Sequence, residues 1–238
     1  MAQTAVRKAE QHHPLLFSWS TLWVVLDLIA LIALAFFVRA NKNWPEDLVL
    51  LKDVEGIRDP VFNLIMHIVG QPGYPPQVYA VVVLICLILW WFKLKWEAIA
   101  EAFAVIGIGV VGLGIKMFVD RTRPPQDLLN GGVMLDNGKF SFPAGHVESL
   151  VAIFGFLMHL SWQLLPERNW VRWLTLFVYG FVLSFIGISR VYLGEHWPLD
   201  AVGGYLFGAL WLWLTIRFYE WGKDRYFVHE RKRINAER

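Results

Sequence analysis

Six apolar runs of about twenty residues constrain this chain more than any other feature. A run of that length is wide enough to cross a bilayer as a helix. Lipid offers no water to satisfy backbone N–H and C=O groups, so the helix must satisfy them internally. The runs are Thr21–Val38, Gln77–Phe92, Ala98–Val119, Val147–Leu165, Trp170–Ile188 and Leu199–Phe218. The expected fold is all-α: an integral membrane bundle of six transmembrane helices, forming one domain over residues 1–238. Val61–Val69 is apolar but too short to span, and predicts an additional short interfacial helix in the first outward loop, Arg39–Pro76. Within that loop, Asn43-Trp44-Pro45 and the alternating charges through Asp59 read as a surface segment. Gln71 to Pro76 reads as a tight turn feeding the second span.

Composition agrees with a membrane protein. The chain is 56% hydrophobic and only 18% charged, with 13 Trp and 17 Phe suited to aromatic belts at the two interfaces. A net charge of +2 gives no footing for a nucleic-acid partner. The single cysteine, Cys86, excludes an intrachain disulfide and reads as a small buried hydrophobe. The polar start, Met1 to Pro14, with His12 and His13, reads as a tail; the apolar run after it is too long and too late for a signal peptide. Thirteen of the 22 Lys and Arg residues fall on one side if the amino terminus is cytoplasmic. The positive-inside bias thus places both termini in the cytoplasm and the third and fifth connections outside.

Three polar segments then fall on the outward side, where ionisable residues at helix ends are costly unless used. The first holds Lys116 and Arg123, seven apart and so able to share one helical face, with Pro124 and Pro125 to stop the helix. Two fixed cations suit the oxygens of a phosphoryl group; they also suit snorkelling at a membrane boundary. The second is Pro143-Ala144-Gly145-His146, just before the fourth span. Gly145 permits close backbone approach, helix-start amides favour an anion, and His146 can exchange a proton near neutral pH; a plain turn into a helix fits as well. The third is Ser189-Arg190 through His196 and Asp200. Four residues apart, the Asp200 carboxylate can reach one imidazole nitrogen of His196 and leave the other free to attack, although a polar helix start paired to its own first turn also fits. A zinc site needs three or four ligands, and the residues nearby are mainly cations. No cofactor and no metal are expected.

These residues resemble the type 2 phosphatidic-acid phosphatase family, relatives of the vanadium haloperoxidases. The family pattern K-x6-R-P, P-S-G-H and S-R-x5-H-x3-D is matched by Lys116…Arg123-Pro124, by Pro143-Ala144-Gly145-His146, and by Ser189-Arg190…His196…Asp200. The resemblance implies a membrane lipid phosphatase that needs no metal. In it His196 attacks phosphorus to form a phosphohistidine, Asp200 orients His196, and Lys116, Arg123, Arg190 and the Gly145 amide hold the phosphoryl oxygens. His146 protonates the leaving oxygen and then activates water. The chain departs from the pattern at Ala144, where relatives carry serine. The lost hydroxyl removes one hydrogen bond, worth about 0.5–1.5 kcal/mol, with Ser141 the candidate to replace it.

The expected partner is a lipid phosphate in its membrane: undecaprenyl diphosphate, phosphatidylglycerol phosphate or phosphatidic acid, in a bacterial inner membrane with the site facing outward. Lipid A dephosphorylation and phosphotransfer to a lipid acceptor are the alternatives within the family. A transporter would explain six spans but not why His196 and Asp200 accompany three phosphate-suited cations, and a haloperoxidase needs no membrane bundle. Asp120 and Arg121 read as surface contacts, Glu148 as a carboxylate favouring a helix dipole, and Glu195 as solvated. Asp27, inside the first span, is expected to face the bundle interior or to pair with a polar group, outside the site. Gly204 and Gly208, like the glycines at 107, 109, 112 and 114, suggest close helix packing.

Overall fold

A computed structural model describes residues 19–74, 76–125 and 140–227; the polar start with its two histidines lies outside the described residues. All regular structure among the described residues is helical. The elements are α1 (Trp19–Ala40), α2 (Pro45–Glu55), α3 (Pro60–Gly70), α4 (Gln77–Trp91), α5 (Lys95–Val119), α6 (Gly145–Leu164), α7 (Trp170–Tyr192) and α8 (Pro198–Gly222). A single 3-10 turn, Gln71–Gly73, precedes α4, and a π-helical turn, Lys223–Phe227, follows α8.

Five helices, α1 and α5 to α8, are long and apolar enough to cross a membrane unaided. The second expected span is different. Helix α4 has 15 residues, about 22 Å at 1.5 Å per residue, which is short of a hydrocarbon core of about 30 Å. It follows α3 across a 65° bend, and the two make a sixth span only if counted together. Pro72 and Pro76 lack an N–H to donate, so no continuous helix runs through this break. Helix α3 starts where Asp59 accepts a hydrogen bond from the Phe62 amide at 2.7 Å. It buries Met66, Val69 and Gly70 while Val61, Leu64 and Ile68 stay exposed. Its buried face lies on α7, where the Ser189 hydroxyl donates to the Met66 carbonyl at 2.7 Å.

Helix α6 is the centre of the bundle and packs against α5, α7 and α8. Its neighbour α8 approaches very closely. A Cβ added at Gly204 would lie 2.8 Å from Val147 Cβ and 2.9 Å from the Ala144 carbonyl oxygen, and one at Gly208 would lie 2.8 Å from Val151 Cβ. The small residues spaced four apart on α8 therefore let two helices meet backbone to backbone. In lipid, which is as apolar as leucine, such packing contributes what the hydrophobic effect does not. On α5 two of the four glycines make room for side chains of neighbouring helices instead. Gly107 accommodates Trp211 and Gly112 accommodates Glu148, whereas Gly109 and Gly114 meet open space. The outward faces of the spans carry Trp23, Phe36, Val110 and Phe177, all exposed. On a water-soluble protein so much apolar surface would drive association; here it faces the bilayer.

Two features of the polar ends differ from the sequence reading. The loop between the first spans is not merely a surface segment. It contains α2, whose Asp47, Leu51 and Glu55 are buried against the bundle. Helix α5 also ends before the prolines. Asp120 adopts a left-handed conformation with φ 50°, closing the helix at Val119, and residues 120–125 run on without helix. Lys116 is thus the last cation on α5, and Arg123 reaches the site from an irregular segment, not from a shared helical face.

Candidate active site

The three polar segments meet at one end of the bundle. Backbone bonds tie them together: the Ala144 amide donates to the Asp200 carbonyl at 3.0 Å, and the Ser141 amide to the Arg121 carbonyl at 2.7 Å. His146 opens α6 and His196 lies in the loop between α7 and α8, with ring centroids 6.4 Å apart. Pro198 takes the first turn of α8 and places Asp200 one turn beyond His196.

His196 and Asp200 are both fully buried. His196 Nδ1 lies 3.6 Å from Asp200 Oδ2, longer than an ordinary hydrogen bond but close enough for the carboxylate to act on the ring. The four-residue spacing thus does bring the carboxylate to the ring, at the long limit of a direct hydrogen bond. Ser141 Oγ stands beside both groups, 3.3 Å from His196 Nδ1, and donates to Asp200 Oδ2. The Ser141 hydroxyl, the candidate to replace the serine missing at position 144, is engaged by the Asp200 carboxylate. Asp200 Oδ2 also accepts from the Trp197 amide at 3.2 Å, so the carboxylate caps its own helix as well. Burial lowers the His196 pKa below the ordinary imidazole value of 6.5, and the charges of Arg123 and Lys116 push the same way, with Asp200 opposing them. The ring is therefore neutral at pH 7.

The three cations gather around the two histidines. Lys116 Nζ donates to the Pro143 carbonyl at 2.7 Å and pairs with Glu148 at 3.0 Å. Gly145 lies under it: a Cβ there would be 3.7 Å from Lys116 Nζ. Arg123 Nη1 donates to the Glu195 carbonyl at 3.4 Å. Arg190 is fully buried, pairs with Glu195 at 2.9 Å and donates to Ser189 Oγ at 2.9 Å. Its guanidinium lies over the Tyr74 ring at 4.8 Å, and Tyr74 donates to Glu195 and meets His146 edge-on at 4.7 Å. Gly70 permits this arrangement, since a Cβ there would fall 1.6 Å from Arg190 Nη2. Four polar atoms of the site, His196 Nε2, His146 Nε2, Arg123 Nε and Arg190 Nε, are buried without a hydrogen-bond partner among the described residues.

Several roles missed in the sequence become visible. Arg121 is not a surface residue. It is fully buried, with Nη1 on Asp200 Oδ1 at 2.8 Å, Nη2 on Asp47 Oδ2 at 2.6 Å and Nε donating to the Lys42 carbonyl at 3.0 Å. Glu195 is buried on Arg190, not solvated. Glu148 does sit in the first turn of α6, but its partner is Lys116. Asp120 is the surface contact it was read to be, exposed and paired with Lys42 at 3.0 Å. Asp27 lines an apolar groove of about 460 Å³ between α1 and α8, together with Trp23, Leu206 and Leu210, away from the site. Ala144 stands at the N-cap of α6 and leaves that helix start without a side-chain cap, a loss of about 1 kcal/mol relative to serine.

Cations and two histidines gathered at one end of a bundle of membrane spans form a site suited to an anionic group, and similarity to known proteins places it in a class: membrane phosphatases, hydrolases of phosphoric esters. The sequence model of the PAP2 superfamily matches residues 97–224, more than half of the chain, and the protein belongs to that family. It is 25% identical over 187 residues to phosphatidylglycerophosphatase B of Bacillus subtilis, covering 79% of this chain and 90% of the relative. It is 23% identical over 198 residues to an undecaprenyl-diphosphatase of Sulfolobus acidocaldarius, covering 82% and 89%. Its fold matches the crystal structure of a transmembrane PAP2-type phosphatidylglycerolphosphate phosphatase from Bacillus subtilis with a TM-score of 0.71 at 23% identity, over 83% of this chain and 96% of that one.

Proposed function

We propose that this protein removes a phosphate from a lipid phosphomonoester or diphosphate through a phosphohistidine on His196, with no metal. The observation that carries the reading is the unpartnered, buried Nε2 of His196, facing a site where His146 Nε2 and the Nε groups of Arg123 and Arg190 are also unpaired. A phosphoryl group supplies acceptor oxygens for the two guanidinium N–H groups and an electrophile for the imidazole lone pair.

The steps balance as follows. The His196 Nε2 lone pair forms a bond to phosphorus as the bond from phosphorus to the lipid oxygen breaks. Protonated His146 delivers its proton to that oxygen, and the lipid leaves. Lys116, Arg123, Arg190 and the Gly145 amide stabilise the charge on the equatorial oxygens, which is most of what phosphoryl transfer asks of a protein. Water then attacks phosphorus and gives a proton to His146, the P–N bond breaks, and inorganic phosphate departs. His146 is left protonated and His196 neutral, ready for another cycle.

The substrate class follows from the relatives, which act on phosphatidylglycerophosphate and undecaprenyl diphosphate by name; residues 1–238 form the single domain that does so here. Brief mixing of the detergent-purified protein with a lipid carrying a labelled terminal phosphate, with EDTA throughout, should leave an acid-labile, alkali-stable label on the protein. A protein that never carries label during turnover, or that turns over only with added metal, would contradict the mechanism.

The site faces outward from a bacterial cytoplasmic membrane, with both termini inside, as the placement of Lys93, Lys95, Arg168 and Arg172 at the opposite end supports. With Cys86 replaced by serine, an impermeant maleimide on intact cells should label Asp53→Cys and spare Glu167→Cys; the reverse pattern inverts the orientation.

A further inference from the structure

We infer that the Ser141 hydroxyl is the link through which Asp200 orients His196, and that Arg121, clamped by Asp47, fixes the carboxylate for it. The inference rests on the phosphohistidine reading above and names positioning residues for the same site.

The Ser141 hydroxyl is the nearer of the two groups to the ring. The imidazole Nδ1 and Asp200 Oδ2 are 3.6 Å apart, whereas Ser141 Oγ is 3.3 Å from Nδ1 and itself donates to Oδ2. A hydroxyl has one proton to give and lone pairs to receive, so it can accept Nδ1–H while donating to the carboxylate. That direction fixes the tautomer with its proton on Nδ1 and leaves the Nε2 lone pair free for phosphorus. Asp200 is held where it stands. Its Oδ1 is held by Arg121 at 2.8 Å and its Oδ2 also receives the Trp197 amide at 3.2 Å.

Arg121 is equally fixed. Its fork spans Asp200 and Asp47, its Nε donates to the Lys42 carbonyl, and its guanidinium lies 4.9 Å from the Trp197 ring centroid. Asp47 in turn accepts from the Leu199 amide at 3.0 Å, so α2 and the first turn of α8 share one anchor. Ser141, Arg121, Asp47 and Asp200 are all fully buried. The chain of contacts therefore runs from α2, through the segment after α5 and the loop before α6, to the nucleophile.

A double-mutant cycle tests this, with kcat and KM measured on a lipid phosphate in detergent. Ser141→Ala should lower kcat about ten- to hundredfold, the span of couplings within one hydrogen-bond network, and leave KM within about twofold. Added to Asp200→Asn, the same change should cost nothing more, because the link then has nothing to transmit. Full kcat in Ser141→Ala, or losses that multiply in the double variant, would overturn the inference. If the alanine variant fails to extract as a monodisperse protein, Ser141→Cys, which fills the space with a poorer acceptor, should show the same kcat loss at unchanged KM; full kcat there overturns the inference equally. His196→Ala separates the two readings. If it retains phosphate release, the phosphohistidine reading falls; if it is inactive while Ser141→Ala is unimpaired, only the link falls.

Discussion

Phosphate release is expected to fall by about four orders of magnitude or more when His196 is replaced by alanine, because in the proposed mechanism the lost group is the one that bonds to phosphorus. Removing a nucleophile leaves only the stabilisation that the surrounding cations provide, and Lys116, Arg123 and Arg190 keep their places without it. The loss should lie in kcat, and the variant should take up no label from a labelled lipid phosphate. Activity within tenfold of the parent would sink the assignment.

The same residue sets a pH expectation. Its pKa is depressed below 6.5, chiefly by burial. The neutral, attacking form therefore persists as pH falls through 6.5, and the acid limb that His196 imposes on kcat/KM should lie below that value. The stability sign agrees: with the folded pKa depressed, protons bind the unfolded chain more readily, so the contribution of this group is present above 6.5 and is lost as pH falls through the folded pKa. An acid limb above pH 6.5 that persists in a His146→Gln variant would contradict this placement of His196.

The second large effect is on stability. Arg121→Ala should destabilise the protein by about 3–5 kcal/mol, since it leaves two buried carboxylates unpaired. Asp47 and Asp200 are fully inaccessible, and Arg121 carries the only ion pair of Asp47 among the described residues. Arg121→Lys keeps the charge but cannot span both partners and the Lys42 carbonyl with one ammonium, so it should recover part of the loss. Asp120→Ala, which breaks the exposed pair with Lys42, should change stability by no more than about 1 kcal/mol. Thermal unfolding of the detergent-extracted variants reads all three. If Arg121→Ala melts with the parent, the buried network is not holding the site end of the bundle together.

The contrast between Arg121 and Asp120 shows where the sequence stops being informative. They are neighbours in one polar segment and look alike as text. Asp120 turns outward where the chain leaves α5, and Arg121 turns into the bundle. Nothing local decides between them, because the partner that makes Arg121 buried is Asp47, contributed by a separate helix early in the chain. Glu195 was misread for the same reason: its burial depends on Arg190 and on Tyr74 from the turn after α3. The bend between α3 and α4 was half legible. Its prolines announce a turn, but that Val61–Val69 packs on α7 instead of only lying at an interface depends on a face that α7 presents.

What the sequence determined by itself was whatever follows from local chemistry and short spacing. Long apolar runs dictate membrane helices because lipid satisfies no backbone groups. Pro198 and Asp200 set the start of α8, and the glycines four apart on that helix foretell its close contact with α6. The histidines, the carboxylate and the three cations stand out because charge at a membrane boundary is costly without a use. Only the tertiary structure decided how those groups are held. The approach of His196 and Asp200, the hydroxyl of Ser141 beside both and the Arg121 fork behind the carboxylate depend on four segments meeting in a closed space. Spacing along a helix brings two side chains to the same face, but orientation to within a hydrogen bond is set by what packs around them.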